Sequence, residues 1–263
     1  MKPAAVVAAL ALALTACVDT EGGSSPSPSP TTDRAPAATL HGRHIPLFPG
    51  TARALRIGFE PFAGAARIIV NARPSGARVH VCPLLSIGAG IKRSDCKRDV
   101  GNGVREPITR AGLRAIAVMA DASGGIEVDV VLDYDEAGRS FEIRMPIMPA
   151  PRGGVDCSDN ACNPFFEVVP TRSGTFTARA SWTGSPASLI LLQGSVLGRA
   201  ETATGIPYAQ AAKDRGASPL QLRARMSAPA EYALAFKHDS PPGSARTFEN
   251  VAIIASWPER EPR

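Results

Sequence analysis

The sequence predicts an all-β protein, organised as two tandem β-sandwich domains after an N-terminal signal-like segment and a disordered linker. Three observations carry this. Strand-length apolar runs with a two-residue alternation recur through both halves of the chain. Short Gly-, Ser- and Asp-rich breaks separate them. The runs also fall in the same order in residues 40–149 and in residues 153–258: two strands, a polar irregular stretch, then three strands.

Residues 1–16 open with Lys2 and continue as an apolar run, too short and too weakly flanked for a permanent membrane span. The run stops at Leu14, Thr15, Ala16 and Cys17, with polar residues straight after. That tetrad resembles the bacterial lipobox. The resemblance implies that Cys17 is lipidated, that the signal is cut before it, and that the protein is exported and held on the bacterial cell membrane or outer membrane. Several acyl chains give stable anchoring where one is marginal. Residues 17–39 include EGGSSPSPSPTTDRAPAA, which has almost no large apolar side chain to bury and alternates Ser with Pro. Such a segment is expected to act as an extended spacer. A second linker-like stretch, PAPRGG, occupies residues 149–154.

In the first half, strands are expected at 66–73, 77–85, 113–120, 126–134 and 140–148. The last alternates cleanly, with Phe141, Ile143 and Met145 set against Ser140, Glu142 and Arg144. The breaks at 122–125 and 135–138 read as hairpin turns. In the second half, strands are expected at 174–182, 187–193, 220–228, 231–238 and 250–257. Residues 206–216, IPYAQAAKDRG, read as the best helix in the chain, and a short one. Identity between the halves is low, so an old duplication rests on the order of elements alone.

Setting Cys17 aside leaves Cys82, Cys96, Cys157 and Cys162. An even remainder in an exported chain predicts two disulfides, locally paired as Cys82–Cys96 and Cys157–Cys162. None sits in a Cys-x-x-Cys unit, which leaves zinc and redox chemistry weakly supported. The net charge is +5, and only Lys2, Lys92, Lys97, Lys213 and Lys237 of the 29 basic residues are lysine. The arginines are scattered, with no aromatic-rich basic stripe, so nucleic acid is not an expected partner. Attraction to anionic envelope polymers is permitted by the charge.

The second half resembles the bacterial pre-peptidase C-terminal domain, a small jelly-roll β-sandwich. The resemblance is carried by GTFTARASWTGSPASLILLQ, by SPLQLRARMSAPAEYALAFKHD and by the final apolar strand. ASLILLQ and APAEYALAFK stand where that family has its middle and late strands, with Ala230 replacing a glycine and Ser188 an aspartate. The resemblance implies an accessory role in binding, spacing or export, and transfers no catalytic residue.

No hydrolase elbow, zinc-protease or phosphate-loop motif occurs. Ser94-Asp95-Cys96-Lys97 matches Ser-x-x-Lys only on paper, since it sits in a polar loop beside a half-cystine. His41 and His44 are close enough to share a metal ion but have no neighbouring ligand in sequence; His80 and His238 have no evident partner. Asp156, Asp159, Asn160 and Asn163 surround the second cysteine pair and are weak calcium candidates, because Asp and Asn are also ordinary turn residues. Otherwise no cofactor is expected. Glu127, Asp129, Asp133 and Asp135 share one strand phase and are weak candidates for a cation or basic partner; a solvent-facing row is the plainer reading. Trp182 and Trp257 fall on apolar phases, which favours core packing over sugar stacking.

The expected function is a non-catalytic binding or scaffolding module for an envelope protein or polysaccharide. The alternatives are an envelope hydrolase or inhibitor with an unrecognised site, or a purely structural spacer.

Overall fold

Residues 174–182 alternate in sequence because the strand they form has one dry face: Phe176, Ala178, Ala180 and Trp182 are buried and Thr175, Thr177 and Arg179 are exposed. The same rule shapes the whole fold. The structure, a computed structural model, describes residues 38–60, 65–100, 103–121, 125–134, 140–148, 164–170, 172–194, 209–238 and 248–258. Among these the first half supplies β1 (Ala38–Leu47), β2 (Leu55–Glu60), β3 (Ala65–Arg73), β4 (Val79–Leu84), β5 (Lys97–Val100), β6 (Glu106–Thr109), β7 (Ala115–Ala120), β8 (Ile126–Tyr134) and β9 (Ser140–Met148). The second half supplies β10 (Phe165–Val168), β11 (Gly174–Gly184), β12 (Ala187–Gln193), β13 (Ala209–Gly216), β14 (Leu220–Met226), β15 (Tyr232–His238) and β16 (Phe248–Ser256).

The strands form two antiparallel sheets, so the all-β sandwich is as expected. Sheet A has the order β13-β12-β15-β10-β1-β8-β3-β6, and sheet B the order β14-β11-β16-β9-β2-β7-β4-β5. Each half keeps its strands together within each sheet. In the first half, β1-β8-β3-β6 face β2-β7-β4-β5, the jelly-roll order, with β9 added beside β2. The second half repeats that order without a counterpart of β4 and β5 among the described residues. The halves are fused rather than merely strung together. First strand pairs with first strand, with Gly42 opposite Phe166, and last strand with last, with Ile143 opposite Ile253. Both seams are antiparallel and join equivalent strands, so the halves are related by a pseudo-two-fold axis running through both sheets.

One core fills the space between the sheets and crosses the seams. Phe141 of β9 packs against Phe166 of β10 and against Trp257, with ring centroids 5.7 and 5.6 Å apart. Trp182, Phe236 and Phe248 form an edge-to-face group deeper in the second half. Both tryptophans are therefore core residues; the Trp182 indole nitrogen donates to the Ser185 carbonyl at 2.7 Å.

Three expectations change. Residues 209–216 are not helical: they form β13, which pairs with β12 along its length. Its Ala and Lys residues favour helix, but the open edge of β12 outweighs propensity by supplying a full set of backbone partners. β7, β8 and β9 do not pair as hairpins, because β7 lies in sheet B, β8 in sheet A and β9 in sheet B, so the jelly-roll path crosses between the sheets at both steps; residues 122–124 and 135–138 themselves lie outside the described residues. Finally, β1, β2, β5, β6, β10 and β13 are strands that the apolar runs did not mark; the first of them begins at Ala38, inside the segment read as spacer.

Candidate functional site

The outer face of sheet B carries a groove, and local sequence explains each wall. In β2, β9 and β16 the inward positions are apolar and buried, so the alternate positions Arg56, Gly58, Ser140, Glu142, Arg144, Ala252 and Ile254 face out. The register sets Gly58, Glu142 and Ile254 side by side, and Arg56, Arg144 and Ala252 in the next row. The floor therefore crosses a seam between the halves.

One wall is the 85–96 loop. It leaves β4 and is tied back by the Cys82–Cys96 disulfide, whose Cα atoms are 4.1 Å apart. The expected first pairing is thus present. The loop lies on the sheet because it brings its own apolar side chains: Ile87, Ala89, Ile91 and Cys96 cover Ala54, Cys82, Leu84, Ala115, Ala117 and Met119. Arg56 fastens it from below, donating from one terminal nitrogen to the carbonyls of Ile87 (2.8 Å) and Ala89 (2.6 Å). A side chain at position 58 would strike Ile87, so glycine there lets the loop settle.

Beside the loop lies an open hollow of about 930 Å³, lined by Gly58, Leu85, Ile87, Arg114, Ser140, Glu142 and Ile254 among others. A smaller one of about 400 Å³ continues from Ile87 past Arg56, Arg144 and Asn250. Large apolar side chains are seldom left half exposed together without cause, yet Leu85 and Ile254 are 50% and 49% exposed on its rim. Arg144 Nε donates to Glu142 Oε1 at 2.7 Å. Burial lowers the Arg56 pKa from its ordinary value, and the nearby Arg144 charge adds to that. The groove thus offers cations, hydroxyls and small apolar patches on a rigid strand platform.

No protein-family model matches the chain, and no curated protein matches it. Among solved structures, the chain is similar to the N-terminal tandem CBM22 domains of Xyn10C from Paenibacillus barcinonensis, at 10% identity over 83% of this chain and 78% of that one, with a TM-score of 0.25. It is also similar to a structure of infectious bursal disease virus Gx strain, at 10% identity over 83% and 71% with a TM-score of 0.22. Tomato vicilin matches at 6% identity over 82% and 74%, with a TM-score of 0.19. At such scores these likenesses carry no argument about this chain.

The acidic row behaves differently from the groove. Glu127, Asp129 and Asp133 do share one face, the outer face of sheet A, but their oxygens are engaged. Arg73 from β3 donates to Glu127 (2.6 Å) and to Asp129 (3.0 Å). A bulge in β1 turns His44 to positive φ, placing its Nδ1 3.0 Å from Glu127 and its backbone N–H on Asp129. The hydrogen bond from His44 holds the Glu127 carboxyl below its ordinary pKa, against the opposing effect of burial, and the charges of His44 and Arg73 assist. Asp133 is buried apart from these, accepting from Thr39 (3.0 Å) and pairing with Arg105 (2.7 Å).

His41 and His44 do not converge on a metal position. His41 sits opposite Glu167 and Val131, its Nδ1 buried without a hydrogen-bond partner, and burial lowers its pKa. His80 has a partner the sequence did not reveal, Asp121 at 2.6 Å. Among the described residues no group of three or more His, Cys, Asp or Glu is placed to hold a metal ion. Cys17, Asp135, Cys157, Cys162, Asp156, Asp159, Asn160 and Asn163 lie outside the described residues. The groove itself was missed, because its walls come from β2, β9, β16 and the 85–96 loop. One signal was available: Ile254 is a large apolar residue on the outward phase of β16, between Ala252 and Ser256.

Proposed function

We propose that this chain is an exported lipoprotein, anchored through Cys17, whose β-sandwich is a non-catalytic binding module for a polysaccharide or protein of the cell envelope. The groove on the outer face of sheet B is its ligand site. The observation that carries this reading is the pairing of a rigid, open hollow of about 930 Å³ with half-exposed Leu85 and Ile254 on its rim. Non-catalytic use is supported by the engagement of the groove's carboxylate: Glu142 accepts from Arg144 at 2.7 Å.

Two variants of the full chain test the reading. Cys17→Ser is expected to move the protein from the membrane fraction to the soluble fraction of the exporting cell; unchanged membrane retention overturns the anchor. Ile254→Glu puts a negative charge on an exposed rim position, where it spares the fold and obstructs the groove. Loss of retention of envelope polymers by that variant, with unaltered thermal unfolding, supports the site. Retention equal to that of the unaltered chain overturns it.

A further inference from the structure

Resting on the groove as the ligand site, we infer that the ligand is an anionic polysaccharide, read along a diagonal of arginines on the outer face of sheet B. The register places them. Arg225 and Arg223 stand on β14, opposite Thr175 and Thr177 of β11. Arg179 is two residues further along β11, opposite Ile254 of β16. Two residues further again, the row passes through Ala252 to Arg144 of β9 and Arg56 of β2. The line runs two residues along β14, then one strand across to Arg179, two more to Arg144 and one more to Arg56, so the five arginine positions trace an oblique line into the groove. From β14 to β2 is four inter-strand spacings, or about 19 Å at about 4.8 Å each. That suits an extended chain crossing several strands rather than a compact small molecule.

Cations predominate along this line. Among the described residues Arg179, Arg223 and Arg225 are exposed and take part in no ion pair. Of the acidic positions in these rows, Glu142 is bound to Arg144, Glu60 stands opposite Ser140 at the β2 end, and exposed Glu249 lies beyond the Arg144 row at the far end of β16. Arg144 and Arg56 spend one nitrogen each on the contacts described, and a guanidinium has five N–H donors in a planar fork that fits a carboxylate. Between the arginines stand hydroxyls, Thr177 and Ser256 at 2.7 Å from one another and Ser140 in the same row. These can exchange hydrogen bonds with sugar hydroxyls. Trp182 and Trp257 are both in the core, so recognition rests on charge and hydrogen bonds rather than ring stacking. Carboxylates spaced along a sugar chain match this pattern; neutral glucans do not use its charge.

The test immobilises the full chain through its C-terminus and flows polygalacturonate, dextran, inorganic polyphosphate and phosphatidylglycerol vesicles over it. Saturable retention of polygalacturonate is expected, weak or absent retention of dextran, and loss of binding in about 1 M salt, where the screening length is about 3 Å. The double variant Arg179→Glu/Arg223→Glu is expected to weaken polygalacturonate binding tenfold or more. Lys213→Glu, on an exposed position of sheet A, is expected to leave it within twofold. Equal retention of dextran, with no effect of the double variant but loss in Ile254→Glu, overturns the anionic ligand and leaves the groove standing. Preference for polyphosphate or for the vesicles, or no retention of any probe, overturns the inference as well. Indifference of every probe to Ile254→Glu overturns the groove itself.

Discussion

Gly58 lies beneath Ile87 so closely that a Cβ on the glycine would stand 3.2 Å from the Ile87 Cβ. The contact matters because Ile87 belongs to the loop that walls the groove, and because Arg56, two residues before Gly58, fastens the same loop. Replacing Gly58 by Val is expected to lift the loop and cost about 1–3 kcal/mol, the usual range for overpacking. Chemical denaturation measures the cost, and loss of probe binding in the groove without global unfolding reports the displaced wall. An unchanged midpoint with unchanged binding shows that the loop does not depend on this contact.

The Cys82–Cys96 disulfide closes a loop with a sequence separation of 14. In the chain-entropy view a loop of about 15 residues is worth about 3 kcal/mol, because the unfolded chain is the state it restricts. Cys82→Ala with Cys96→Ala is expected to lower stability by about that amount and to remove the reductant sensitivity that this pair confers. Reductant-sensitive unfolding in the double variant would have to come from another cysteine pair.

Much of this architecture is written locally and some is not. Strands such as 140–148 and 187–193 were legible because a buried face imposes alternation, or a continuous apolar run, on residues that are neighbours in sequence. The Cys82–Cys96 pairing was legible because its ends are close in sequence. β13 was misread because AQAAKDRG has helix-favouring residues and is held as strand by pairing with β12. Glu127, Asp129 and Asp133 share one face, but Arg73 is 54 residues from Glu127, and nothing near either residue announces the pairing. The groove was invisible for the same reason. Gly58, Glu142 and Ile254 become neighbours only through sheet register, and register is decided by the whole sheet rather than by any one strand.

The seams predict that the described fold melts as a unit. Phe166 of β10 is buried against Phe141 of β9, and the strand pairs β1–β10 and β9–β16 are hydrogen-bonded. Neither half can open without exposing the core of the other. Calorimetry of the full chain is expected to show one transition with matching calorimetric and van't Hoff enthalpies. Phe166→Ala is expected to lower stability by about 3–5 kcal/mol and to shift the transition without splitting it. Two resolved transitions would mean that the seams are weaker than either half.

Acid sensitivity follows from two groups on the outer face of sheet A. His41 is partly buried and its pKa is lowered from 6.5, so the unfolded chain takes up its proton first as pH falls. Its share of stability is therefore complete above about pH 6.5 and is lost as pH drops from there toward the folded value. Glu127 is lowered from 4.5, chiefly by the hydrogen bond from His44, and has the same sign: its share is complete above about pH 4.5 and is lost below it. Urea unfolding at a series of pH values is expected to show stability falling in two stages, one starting near pH 6.5 and one below pH 4.5. His41→Leu is expected to flatten the upper stage and leave the lower one, while Glu127→Gln does the reverse. A slope between pH 6.5 and pH 5 that survives in His41→Leu places the sensitive group elsewhere.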